Sequence, residues 1–128
     1  AANLAVAERW VTEHSDTEFD FFLPPYSILF WDKMQRLGQT DAMIEMLKYA
    51  TAQLLTYDNA EVQCFLTDTD IITNLDNYAD HIHVAGRITY RMAQAMPGGA
   101  YRLTEKNYES KLDALREFVV NYDYDSIW

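Results

Sequence analysis

The stretch EFDFFLPP at residues 18–25 decides the fold of this chain. It is short and aromatic, and the two prolines end it, because proline cannot donate to a strand ladder and forces extended backbone before it. We therefore predict a buried strand at residues 18–23. A second short apolar run predicts another strand at residues 61–66, followed by the polar sequence TDTD at residues 67–70.

Apolar residues at helical spacing surround both predicted strands. The predicted helices lie at residues 3–14, 27–37, 41–55, about 84–95 and about 104–122. Ser27 and Thr104 are the predicted caps of the second and last of these helices. The order α-β-α-α-β-α-α is typical of a parallel sheet covered by helices, with the two strands as neighbours.

Two parallel strands are few for such a fold, because parallel sheets are buried on both faces and seldom stand as a pair. The chain also starts with AANL, without an initiator methionine, and enters a helical pattern at once. We therefore expect residues 1–128 to form a single α/β domain that is the C-terminal portion of a larger one. An incomplete sheet leaves a surface uncovered, through which the isolated chain is expected to dimerise.

Composition excludes several classes of function. The 128 residues carry a net charge of -10, and their ten Lys and Arg residues are scattered, which argues against nucleic acid as a partner. No apolar run approaches the roughly 20 residues that cross a bilayer. The single cysteine, Cys64, lies in an apolar run and is interpreted as a buried structural thiol, so the chain forms no internal disulfide.

Candidate chemistry lies after the strands, because ligands of open α/β sheets gather beyond the carboxyl ends of the strands. Asp80 and His83 follow the second strand at a spacing of three. A carboxylate at that place can orient one imidazole nitrogen while the other takes a proton from a nucleophile. The spacing also arises by chance, and a helix cap is the alternative interpretation of Asp80.

The residues of these loops give less support to a metal site, a nucleophilic serine or a sugar-binding platform. His81 and His83 form an H-x-H pair with acidic neighbours, but no third ligand stands at a diagnostic spacing, so we predict no metal and no other cofactor. Ser27 lacks the glycines of a nucleophile elbow, which favours a helix cap. Tyr26, together with Phe30 and Trp31, fits the core better than a sugar platform.

Four segments carry a family resemblance: FFLPPYSIL at residues 21–29, IITNLDNY at 71–78, DHIH at 80–83 and YRLTEKNY at 101–108. Together they resemble the C-terminal region of bacterial SGNH/GDSL-like hydrolases, including membrane-anchored members related to surface-polymer acyl-transfer proteins. The last block of that family is D-x-x-H, which falls on Asp80 and His83. The resemblance departs beside the histidine, where Ile82 and Val84 stand in place of the serine and tyrosine of related sequences.

The resemblance implies a three-layer α/β/α sandwich of the flavodoxin-like type and an esterase or acyltransferase acting on acyl esters of the cell surface. His83 is then the general base and Asp80 its orienting acid, while Tyr26 and Ser27 are candidate substrate contacts. The family's serine and its Gly and Asn oxyanion donors are not in these 128 residues. They and a membrane anchor are expected upstream, in an extracytoplasmic protein. The alternative function is a non-catalytic module that binds a protein or a glycan.

Overall fold

A computed structural model describes residues 2–128, which form six α-helices around a three-stranded sheet. The helices are α1 Ala2–Glu13, α2 Ile28–Arg36, α3 Thr40–Leu54, α4 Thr69–Thr73, α5 Gly86–Ala95 and α6 Tyr108–Asn121. The strands are β1 Phe19–Leu23, β2 Ala60–Cys64 and β3 Arg102–Leu103. Short 3-10 turns cover Phe65–Thr67, Leu75–Asn77, Met96–Gly98 and Tyr124–Ile127.

The sheet has the order β1-β2-β3 and mixes the two directions of pairing. β1 and β2 run parallel, in register from Phe19 opposite Ala60 to Leu23 opposite Cys64. This confirms the predicted pair of neighbouring parallel strands. β3 was not predicted from the sequence. It pairs antiparallel with β2, and its Leu103 lies opposite Val62. The fold class is therefore mixed α/β.

The main core lies on one face of the sheet. Val62, Cys64 and Leu103 point to this face and belong to one buried cluster with side chains of α2, α3 and α6. The most extensive contact between helices in this layer is between α3 and α6. Burial of these apolar side chains, rather than any polar bond, is the main source of stability here.

The other face of the sheet contacts the turn Met96–Gly98 that follows α5. Gln63 points to this face and is fully buried, and its side-chain amide donates to Asp20 Oδ2 and to the carbonyl of Met96, both at 2.8 Å. A second, smaller cluster joins Phe65 and Ile71 to Ile88 and Met92 of α5. This second cluster lies beside the end of β2 and is smaller than the core on the first face.

β1 forms one edge of the sheet. The amide of Phe19 donates to the carbonyl of Asn59 next to β2, at 2.8 Å. Because successive residues direct their backbone groups to opposite edges, those of Asp20 and Phe22 face away from β2. Within residues 2–128 no further strand pairs with that outer edge, and the Phe22 side chain is 47% exposed beside it.

Several predicted boundaries are wrong. The last helix begins at Tyr108, not at Thr104, because Thr104 starts a turn in which its amide donates to Asn107 Oδ1 at 2.7 Å. The polar passage after β2 contains α4, a five-residue helix capped by Asp68, where we predicted only loop. β2 itself stops at Cys64, since residues 65–67 tighten into a 3-10 turn. The predicted count of five helices is therefore one too low.

Candidate functional site

The turn that leaves β1 meets the loop of residues 78–84, which follows β2 after α4 and two 3-10 turns. Ser27 is fully buried there, and both its amide (3.2 Å) and its hydroxyl (2.6 Å) donate to the carbonyl of His81. The hydroxyl of Tyr78 donates in the opposite direction, to the carbonyl of Pro25 at 2.6 Å. Two exit loops more than 50 residues apart in sequence are thus joined by three hydrogen bonds.

Residues 78–84 form a tight reversal of the chain. Tyr78 and Val84 make an isolated antiparallel bridge, and the amide of Ala79 donates to the carbonyl of His83 at 2.8 Å. The next residue, Ala85, donates to the carbonyl of Asn77 at 2.7 Å and is the N-cap of α5. These backbone bonds hold the loop independently of its exposed side chains.

Asp80 and His83 are in direct contact at the tip of this loop. His83 Nδ1 lies 2.6 Å from Asp80 Oδ2. The other carboxylate oxygen, Oδ1, accepts the amides of Ile82 (2.9 Å) and His83 (2.8 Å). Asp80 therefore does not cap α5, as its alternative interpretation supposed, but is fixed in place by the loop that carries the histidine.

The contact with Asp80 sets which ring nitrogen of His83 carries the proton. The hydrogen bond from His83, followed by those from the two backbone amides, holds the pKa of Asp80 well below its usual range. An ionised carboxylate only accepts hydrogen bonds, so the proton in this contact belongs to Nδ1. In the neutral imidazole Nε2 is then a free acceptor, which is the state that a general base requires.

The pair is open to solvent. The side chains of His83 and Asp80 are 71% and 46% exposed. Within residues 2–128, Ser27 is the serine that is hydrogen-bonded to this loop. Its buried hydroxyl already donates to the carbonyl of His81. Ser27 occupies the predicted N-cap position of α2, but its side chain makes no capping bond, because it ties the two loops together instead.

A set of polar residues behind the loop supports it. Arg87 of α5 donates to the carbonyl of Asp76 (2.5 Å) and to the side-chain oxygen of Asn77 (3.1 Å). The Asn77 amide donates in turn to the carbonyl of Ile71 at 3.2 Å, and burial raises the pKa of Tyr78. The sequence reading singled out none of these three residues. Asn77 and Tyr78 lie in the segment 71–78 that carries part of the family resemblance, and Arg87 lies shortly after the D-x-x-H block.

Tyr26, the remaining predicted site residue, is the neighbour of Ser27 in sequence. Tyr26 is half-buried in the exit turn of β1, and its ring lies 4.7 Å from that of Phe30, so it is shared between core and surface. Trp31 is fully buried, as expected for a core residue. Among residues 2–128 no three His, Cys, Asp or Glu side chains gather as metal ligands, and the prediction that His81 and His83 bind no zinc stays a prediction.

Comparison with protein families, with curated proteins and with solved structures finds no match for this chain. None of the helices between residues 2 and 128 has the length and apolarity needed to span a bilayer. The geometry of Asp80 and His83 is consequently the main functional observation.

Proposed function

We propose that this chain supplies the acid–base pair of an SGNH-type serine esterase or acyltransferase, whose nucleophilic serine lies outside residues 1–128. The observation that carries the proposal is the 2.6 Å contact between His83 Nδ1 and Asp80 Oδ2, which leaves Nε2 free on a loop that is hydrogen-bonded to the turn after β1. The resemblance of residues 80–83 to the D-x-x-H block agrees with this assignment.

The chemistry follows from the orientation of the imidazole. His83 Nε2 takes the proton of the serine hydroxyl while the serine oxygen bonds to the acyl carbon of an ester. The imidazolium then returns that proton to the departing alcohol, which leaves an acyl-serine. A water molecule or a second alcohol then loses its proton to Nε2 and attacks the acyl carbon. The bond from that carbon to the serine oxygen breaks, and the imidazolium returns the proton to the serine, which restores the neutral imidazole. Asp80 stabilises the imidazolium in both halves of this cycle.

The same proposal requires that the sheet of this chain is part of a larger sheet. Further parallel strands pair with the outer edge of β1 and extend the sheet into a three-layer, flavodoxin-like sandwich. The free backbone groups of Asp20 and Phe22 and the exposed Phe22 ring support this extension. Strands added at that edge also end beside the exit loops, which brings a serine within reach of His83.

The first test is the coding sequence upstream of residue 1, where the proposal requires a Gly-Asp-Ser-like block. The protein encoded by the whole gene is then assayed on p-nitrophenyl acetate. We expect His83→Ala to lower kcat by about 10³-fold or more, and Asp80→Ala to lower it less, because the imidazole survives without its orienting group.

His81→Ala is the matched control, since His81 is an exposed histidine two residues away whose ring has no bond to Asp80. We expect it to keep kcat within about twofold of the parent. Equal losses in His81→Ala and His83→Ala would contradict a specific base. Absence of both the upstream block and ester turnover would favour the alternative, a module that binds a protein or a glycan.

A further inference from the structure

Lys111 is in an unusual position for a lysine of this acidic chain. In the described part of the chain, five basic residues have no carboxylate within 4.0 Å: Arg9, Lys33, Arg87, Lys106 and Lys111. Four of them are exposed and keep their hydration, but Lys111 is half-buried. Its methylene stem is therefore packed against the protein, and its ammonium has no counter-charge within 4.0 Å among the described residues.

Two further observations sharpen this point. Lys111 lies in the first turn of α6, where the positive end of the helix dipole disfavours a cation. Its charge also lowers the pKa of the buried Cys64 thiol, against the larger effect of burial. An anion beside Lys111 would supply the missing counter-charge and offset the unfavourable position at the start of the helix.

A cavity of about 310 Å³ lies beside Lys111, between α6 and the turn that follows β2. Leu66, Leu115 and Phe118 give it apolar walls, and Thr67 and Thr69 line its rim. This volume is near the lower limit of small-molecule sites. The ligand that fits is small, mostly apolar and negatively charged at one end.

We propose that this cavity binds a monocarboxylate with a short, unbranched apolar tail, its carboxylate paired with Lys111 and its tail between α6 and Leu66. One ammonium balances one negative charge, whereas the second charge of a phosphate would stay uncompensated against apolar walls. None of the residues that line the cavity belongs to the Asp80–His83 loop, so binding here does not depend on the proposed ester chemistry.

The test is a titration of the uniformly ¹⁵N-labelled 128-residue protein with hexanoate, which has eight non-hydrogen atoms, followed by amide NMR. We expect saturable binding with Kd on the order of 1 mM, with the largest shifts at Thr69, Lys111 and Leu115. Hexan-1-ol, which lacks the charge, and acetate, which lacks the tail, should each bind at least tenfold more weakly, as should inorganic phosphate.

Variants separate the two parts of the site. Lys111→Gln should weaken hexanoate binding at least tenfold, and Ala114→Phe, which fills the cavity from the exposed side of α6, should weaken it while keeping the ammonium. Lys106→Gln removes an exposed, unpaired lysine nearby and should leave Kd unchanged. Hexan-1-ol or phosphate binding as tightly as hexanoate, unchanged binding in Lys111→Gln, or shifts centred elsewhere would each overturn the proposal.

Discussion

At the residue scale, the decisive feature is that Asp80 is held by three hydrogen bonds from its own loop. One comes from the His83 ring and two come from the amides of Ile82 and His83. The amides keep the carboxylate in place whether or not the imidazole is present. The backbone amides therefore orient Asp80, and Asp80 orients the His83 ring, which is the arrangement that a catalytic acid–base pair needs.

We predict that His83→Ala raises the pKa of Asp80, because the ring supplies the largest of the effects that lower it. The pKa should stay below its ordinary value of about 3.9, since both backbone amides still donate. A pH titration of the Asp80 carboxyl ¹³C resonance measures this. His81→Ala is the control and should change nothing, and an ordinary pKa for Asp80 in the parent would refute the geometry.

The same lowered pKa determines how Asp80 contributes to stability. The unfolded chain binds a proton at this carboxyl at higher pH than the folded chain does, so the contribution is present above about pH 4 and is lost as the pH falls further. Asp80→Asn should therefore lower stability at neutral pH and flatten the acid limb of the stability curve. Urea unfolding at a series of pH values gives both quantities.

At the element scale, the two exit loops behave as one unit because buried hydrogen bonds join them. We predict that Ser27→Ala lowers the free energy of unfolding by about 1 kcal/mol, the usual cost of losing one such bond. It should also speed amide hydrogen exchange in residues 78–84, since the His81 carbonyl keeps only the amide of residue 27 as donor. Chemical denaturation and exchange NMR are the measurements.

Ser110→Ala is the matched control for this substitution. Ser110 is exposed in the first turn of α6, and its hydroxyl donates to the carbonyl of Asn107 within the same turn. Its loss should cost less than about 0.5 kcal/mol and leave exchange in residues 78–84 unchanged. Equal effects of the two substitutions would show that the Ser27 bond does not join the loops.

The same scale shows what the sequence could predict. The spacing of apolar residues and the position of the prolines predicted β1, β2 and the long helices. The order of these elements predicted that the two strands are parallel. β3 has only two residues, too few for any period, and α4 has only one turn. Both are set by tertiary pairing. Likewise, the spacing of Asp80 and His83 predicted their contact, but the anchoring by Ser27 and Tyr78 arises only when distant loops meet.

At the scale of the whole molecule, the outer edge of β1 is the surface most open to pairing. We predict that the 128-residue chain self-associates at micromolar concentration, because an unpaired edge with an exposed Phe22 is a template for another strand. Phe22→Lys should reduce the association, since a charge on an edge strand opposes pairing. Sedimentation velocity at several concentrations measures this.

Val120→Lys is the control, because it places the same charge at an exposed apolar residue of α6. We expect it to associate like the parent. A monomer at all concentrations, with a sharp cooperative melt, would argue against an incomplete sheet. It would equally count against the proposed strands beyond β1.

The last prediction concerns activity of the 128-residue chain by itself. A base and its orienting acid only activate a nucleophile, and removing the nucleophile costs several orders of magnitude in rate. His83 has a free Nε2, yet Ser27 is buried with its hydroxyl bonded to His81. We therefore expect this chain to hydrolyse p-nitrophenyl acetate no faster than its His83→Ala variant, beyond the small background of an exposed imidazole. Saturable turnover abolished by Ser27→Ala would instead make Ser27 the nucleophile and would require its loop to open.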